Sequence, residues 1–242
     1  NVDGWEPASL ERPAAASRRH QLDRWILLAS ERLLRQVTAA MEEYELQRAI
    51  DPIVQFVDEL TNWYIRRSRR RFWKSENDED KLQAYETLYA VLLHTCHVLA
   101  PYTPFIADAM YRNLVGPLLA RHVAVAESVH LRDWPEARPA EEDEELDQRM
   151  DLVIRAVSMG RALRTSHSLK VRQPLRAIHL VTRDPWARRT LEEFAEQIRD
   201  ELNVKAVHFD EREAELVDFV VKANFKSLGP RLGSAPRTLT PN

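Results

Sequence analysis

The stretch "NWYIRRSRRRFWK", residues 62–74, sets five arginines and one lysine among two aromatic pairs, Trp63–Tyr64 and Phe72–Trp73, without a single acid. Arginine forks onto phosphates and stacks on rings, whereas lysine offers a compact point charge. Aromatic side chains can stack on splayed single-stranded bases, worth about 1–3 kcal/mol per base. Cations and rings in this mixture suit a polyanion with planar bases. Arg66, Arg67, Arg69, Arg70, Arg71 and Lys74 are therefore candidate RNA backbone contacts, and Trp73 a candidate for base stacking or for capping a helical bundle. Two plainer explanations compete. The arginines could pair with the protein's own acids, or the helix could be a basic amphipathic one for a membrane or a calmodulin-like partner. The second is disfavoured because the apolar and basic residues do not divide into opposite faces.

Other chemistry-bearing residues carry less. "HTCH", residues 94–97, is the only H-x-x-H, and His94, Cys96 and His97 suggest zinc until a second ligand pair is sought and not found. Cys96 reads as a packed small hydrophobe. Asp108, near the start of a helix, reads as a favourable partner of the helix dipole. "KVRQPL", residues 170–175, offers Lys170 and Arg172, which alternation would put on one side of an extended segment facing RNA, or which simply anchor two parts of the chain. The glycines of "LGPRLG" read as a surface turn. No metal or catalytic residue is expected.

These residues need elements to position them. Leu22, Trp25, Ile26, Leu33, Val37, Ala40 and Met41 follow a 3.6-residue period from about Ser17. A second helix is expected over about 46–74, with Ile53, Phe56, Val57, Leu60 and Tyr64 on one stripe. At roughly 100° per residue, Arg67 and Arg71 continue that core-facing stripe, so they are the first arginines to be assigned a structural role. Helices over about 80–100, from Pro104 (with Thr103 as cap) to about Leu119, and over about 142–166 complete a bundle. Beyond it, a strand at 175–182, a helix starting at Asp184–Pro185 with Leu191, Phe194, Ala195, Ile198 and Leu202 on its stripe, and strands at 204–209 and 216–222 read as a small α/β appendage. The expected fold is mainly α: residues 1–16 a linker, 17–168 a helical bundle, 169–242 the appendage with a polar tail.

Composition sets the frame. The chain has 242 residues, 44% hydrophobic and 30% charged, with five glycines, one cysteine and a net charge of −3. Few glycines argue against glycine-rich phosphate loops. One cysteine excludes an internal disulfide and fits a reducing compartment. No apolar run reaches membrane-spanning length. The N-terminus has neither a signal-peptide core nor an initiator Met, so a piece of a longer protein is expected. The charge is segregated: six cations at 62–74, against eight acids and two arginines at 136–151, the latter read as a solvated helix start.

"LDRWIL" (22–27), "NWYIRRSRRRFW" (62–73), "LAPYTPFIADAMY" (99–111), "ESVHLRDWP" (127–135), "KVRQPL" (170–175) and "NFKSLGPRLG" (224–233) occur in an order that resembles isoleucyl-tRNA synthetases. The "LAP-TPF-A---Y" pattern is shared across class I synthetases for aliphatic amino acids; the arginine density is the specific part. The resemblance implies an anticodon-binding helical bundle followed by a C-terminal junction. It also implies isoleucine tRNA and the parent chain's catalytic domain as partners, ATP and Mg for the full-length enzyme, and a cytoplasmic location. Neither class I loop, H-I-G-H nor K-M-S-K-S, is in this chain, so no catalysis is expected of it alone. The rival expectation is a helical interaction module whose arginines dock an acidic protein.

Overall fold

The computed structural model describes residues 4–7, 10, 19–73, 78–122, 124–137 and 144–210. The expected third strand at 216–222, the "LGPRLG" turn and Lys74 lie outside the described residues. Two compact units divide the chain, Asn1–Ile154 and Arg155–Asn242.

The first unit is the helical bundle. Its central helix α1 (Gln21–Glu42) buries Trp25, Ile26, Leu34 and Val37 completely. It packs against α2 (Leu46–Asp58) and α4 (Glu79–Leu99). Tyr44, at φ 59°, turns the chain between α1 and α2, with the Glu45 amide closing back on the Ala40 carbonyl at 2.8 Å. The Asp78 carboxylate caps α4 by accepting from the Lys81 amide. Pro104 opens α5 (Pro104–Ala120), as its missing amide permits. Thr103 precedes it but caps nothing; its hydroxyl donates to the Leu99 carbonyl at 3.3 Å.

The expected second helix runs to Phe72 but is not one α-helix. A π-turn at Glu59–Ile65 separates α2 from α3 (Arg66–Phe72). Besides Glu59, Trp63 and Arg71, the buried positions there include Phe56, Leu60, Tyr64 and Ser68, three successive four-residue steps where an α-helix alternates threes and fours. The π-turn absorbs one extra residue. Ser68 is consequently buried in a place where the α-helical count puts arginine, whereas Val57, expected in the core, precedes the turn and is 40% exposed, off the α2 face formed by Ala49, Ile53 and Phe56. Leu46, Ile50 and Val54 are exposed beside Val57.

α6 (Glu144–Ser166) runs from the first unit into the second. In the second unit, β1 (Ile178–Val181) and β2 (Val207–Asp210) form a parallel pair, Ile178 opposite Val207. An isolated bridge, Leu175–Val204, precedes it. Between the strands lie α7 (Pro185–Glu193) and α8 (Ala195–Leu202), which split the single expected helix at Phe194. The Asp184 carboxylate caps α7 by accepting from the Trp186 amide at 3.0 Å. Phe194, Ile198 and Leu202 are buried, as their stripe requires.

Candidate nucleic-acid interface

Arg71 is the fixed point of the arginine helix. It is buried, and its Nη1 and Nη2 donate to Asp23 Oδ1 and Oδ2 of α1 at 2.8 and 2.7 Å. Its Nε donates to Asp80 Oδ1 at 2.8 Å, and Nη2 also reaches the Asp80 carbonyl at 3.0 Å. Burial alone would lower the guanidinium's pKa; the hydrogen bond and charge of Asp23 and the hydrogen bond of Asp80 outweigh it and raise the value. The Tyr64 hydroxyl donates to Asp23 Oδ1 at 2.7 Å, and burial, reinforced by the Asp23 charge, holds that phenol well above its ordinary pKa. The acids that take Arg71 thus come from α1 and the start of α4. From the acidic run, Asp147 meets Arg32 instead, in a cluster where Arg32 also holds both oxygens of Glu59, the first residue of the π-turn, at 3.0 and 2.8 Å.

With Arg71 clamped, α3 can turn only one way. Arg66, Arg69 and Arg70 are exposed, and Arg70 has no partner among the described residues. Arg67 is half-buried, its guanidinium 5.8 Å from the Trp63 ring centre. Arg69 lies over the Trp73 ring at 4.8 Å, and Trp73 is 75% exposed. Beneath them Phe72 packs on Tyr85 at 5.5 Å between ring centres, and Tyr85 on Trp5 at 5.7 Å, an aromatic tier that supports the end of the helix. The result is an open cationic face ending in a ring. It can bind phosphates and stack a base. Cations in the last turn of α3 are also favoured by its dipole.

Lys170 and Arg172 belong to the second unit and are exposed. They lie not on an extended segment but in a turn, closed by the Gln173 amide on the Lys170 carbonyl at 3.0 Å. The other candidates settle into structure. Cys96 is fully buried mid-α4, and burial pushes its thiol up to about 11. His94 bonds the Ser30 hydroxyl. Asp108, expected to favour a helix dipole, instead clamps the segment after α5: it accepts from Ser128 Oγ at 2.5 Å and from the Val129 amide at 3.1 Å. The Ser128 hydrogen bond above all holds its carboxyl below the usual value. Reasoning from sequence missed Asp23 and Asp80. Asp23 had a legible signal, an acid inside the apolar stripe of Leu22, Trp25 and Ile26. Asp80 had none.

The family model described as "Anticodon-binding domain of tRNA ligase" matches residues 23–179. The chain belongs to this family of anticodon-binding domains. The domain is 45% identical over 243 residues to the isoleucine–tRNA ligase of Treponema pallidum, covering 97% of this chain and 22% of that protein. It is 51% identical to the ligase of Treponema denticola over 88% of this chain and 19% of the relative. With that of Protochlamydia amoebophila it shares 42% over 96% of this chain and 21% of the relative. The domain therefore spans about a fifth of the length of these relatives. Among its described residues no helix is long and apolar enough to cross a membrane.

Proposed function

We propose that this domain docks isoleucine tRNA for a parent isoleucine–tRNA ligase, holding the tRNA so that its acceptor end reaches the catalytic domain of the same polypeptide in the cytoplasm. The observation that carries the reading is the clamped α3, with Arg66, Arg69 and Arg70 solvent-facing beside an exposed Trp73. The relatives, named as isoleucine–tRNA ligases, support isoleucine as the amino acid. In this reading the parent reaction attaches isoleucine to tRNA using ATP and Mg, bound by parts of the polypeptide other than this chain, which contains neither signature loop. The domain contributes binding energy and orientation, and no bond-making step.

The test is fluorescence anisotropy of the purified domain with a labelled isoleucine tRNA transcript, against an anticodon-substituted transcript, at two salt concentrations. Arg66→Glu combined with Arg70→Glu should weaken binding and lower the log–log salt slope by about 0.7–0.9 for each phosphate no longer neutralised. An unchanged slope would remove both residues from the interface. Equal affinity for both transcripts, with displacement by an acidic protein, would turn the reading to protein docking.

A further inference from the structure

We infer that the turn after α6 is a second, preorganised site for the RNA sugar–phosphate backbone, and that buried Arg164 is the residue that shapes it. The inference rests on the tRNA-docking reading and adds a site to it. From Leu152 to Arg183 the chain carries six arginines and a lysine and not one acid, a longer acid-free run than the arginine helix. Within it Lys170, Arg172 and Arg176 are exposed and have no carboxylate partner among the described residues.

Arg164 is 3% exposed, and its described partners are all backbone carbonyls. Nη1 donates to the Lys170 and Gln173 carbonyls, each at 3.0 Å. Nη2 donates to the Leu202 and Asn203 carbonyls at 2.5 and 3.1 Å. One side of the fork therefore grips both ends of the 170–173 turn, and the other grips the C-terminal end of α8. A buried guanidinium with no counter-charge is costly unless dipoles surround it, and the end of a helix supplies them. Only a planar two-pronged cation meets four carbonyls this way; lysine cannot. Asn203, in the left-handed region at φ 49°, adds a bond from its side-chain Nδ2 to the Val171 carbonyl at 3.1 Å.

The consequence for the surface is specific. The carbonyls of Lys170, Val171 and Gln173 are drawn inward onto Arg164 and Asn203, so these negative dipoles are satisfied internally. Lys170 and Arg172 remain outside, above a buried positive charge. A rigid cationic turn loses little entropy on binding an anion. Lacking an aromatic residue, the turn suits phosphates and reads no bases. Arg164 itself touches no RNA; it is a positioning residue.

The test uses the whole chain and the same two transcripts. Lys170→Glu with Arg172→Glu, both at exposed positions, should weaken binding to the two transcripts by the same factor, on the order of tenfold. The salt slope should fall by about 1–2. Arg164→Lys keeps the charge but removes the fork; it should weaken binding similarly while circular dichroism shows a folded bundle. Adding the Glu pair to Arg164→Lys should then cost much less than it does alone, because the turn is already displaced. An unchanged slope in the Glu pair overturns the site, and fully additive effects overturn the role of Arg164. If the Arg66/Arg70 reversal has no effect while the Glu pair weakens binding, the arginine-helix reading fails and this site stands. The opposite pattern sinks this site alone.

Discussion

Asp23 decides more about this domain than any of the exposed arginines do. It is fully buried, and it carries both prongs of Arg71 and the Tyr64 hydroxyl. Removing one partner of a buried pair strands the other, at about 3–5 kcal/mol. Asp23→Ala should therefore destabilise the fold by that order in urea titrations, whereas Arg70→Ala, at an exposed position with no partner among the described residues, should leave stability within about 0.5 kcal/mol. Equal urea midpoints would refute the clamp. Cys96 gives a second check at this scale. A thiol raised to about 11 by burial is protonated and shielded at pH 8, so a thiol-specific reagent should label the folded chain negligibly and the urea-unfolded chain fully. A raised folded pKa contributes stability below the unfolded value of about 9 that is lost as pH climbs towards 11. Tyr89, pushed up to about 12, acts in the same direction. Stability should thus fall in alkaline solution.

The π-turn is the feature of the elements that the arginine face depends on. Each residue past it occupies the position that its predecessor would take in an uninterrupted α-helix. Deleting exposed Thr61 should therefore convert the turn to α-helix and leave Arg71 on Asp23, with little change in melting temperature. Inserting one alanine after Thr61 should instead rotate α3 by roughly 100°, carry Arg71 off Asp23 and cost several kcal/mol. Thermal melts of the two variants separate these outcomes; comparable destabilisation in both would mean that the turn does not set the register. An uninterrupted helical count put Val57 in the core and gave Ser68 no place there. That count fails because helical period is read from apolar residues, and in this segment the buried set includes Glu59, Ser68 and Arg71.

At the scale of the molecule, the isolated chain should show no isoleucine-dependent pyrophosphate exchange, since neither class I loop is present. Measurable exchange would demand an unrecognised catalytic site within it. The sequence by itself determined the helical bundle and most of its boundaries. Apolar periodicity over 20-residue helices is redundant, and Asp184 and the prolines at 104 and 185 mark helix starts locally. It also determined the family, because six motifs occur in order along the chain. It located the cations too, since an acid-free run is visible without any structure. Which cations face water was decided only by the tertiary structure. Burying a guanidinium is set by where acids and carbonyls from distant elements arrive: Asp23 lies 48 residues from Arg71, and the Leu202 carbonyl 38 from Arg164. No local pattern encodes such a meeting, and the desolvation energy that separates an anchor from an RNA-facing cation is fixed only once the elements have packed.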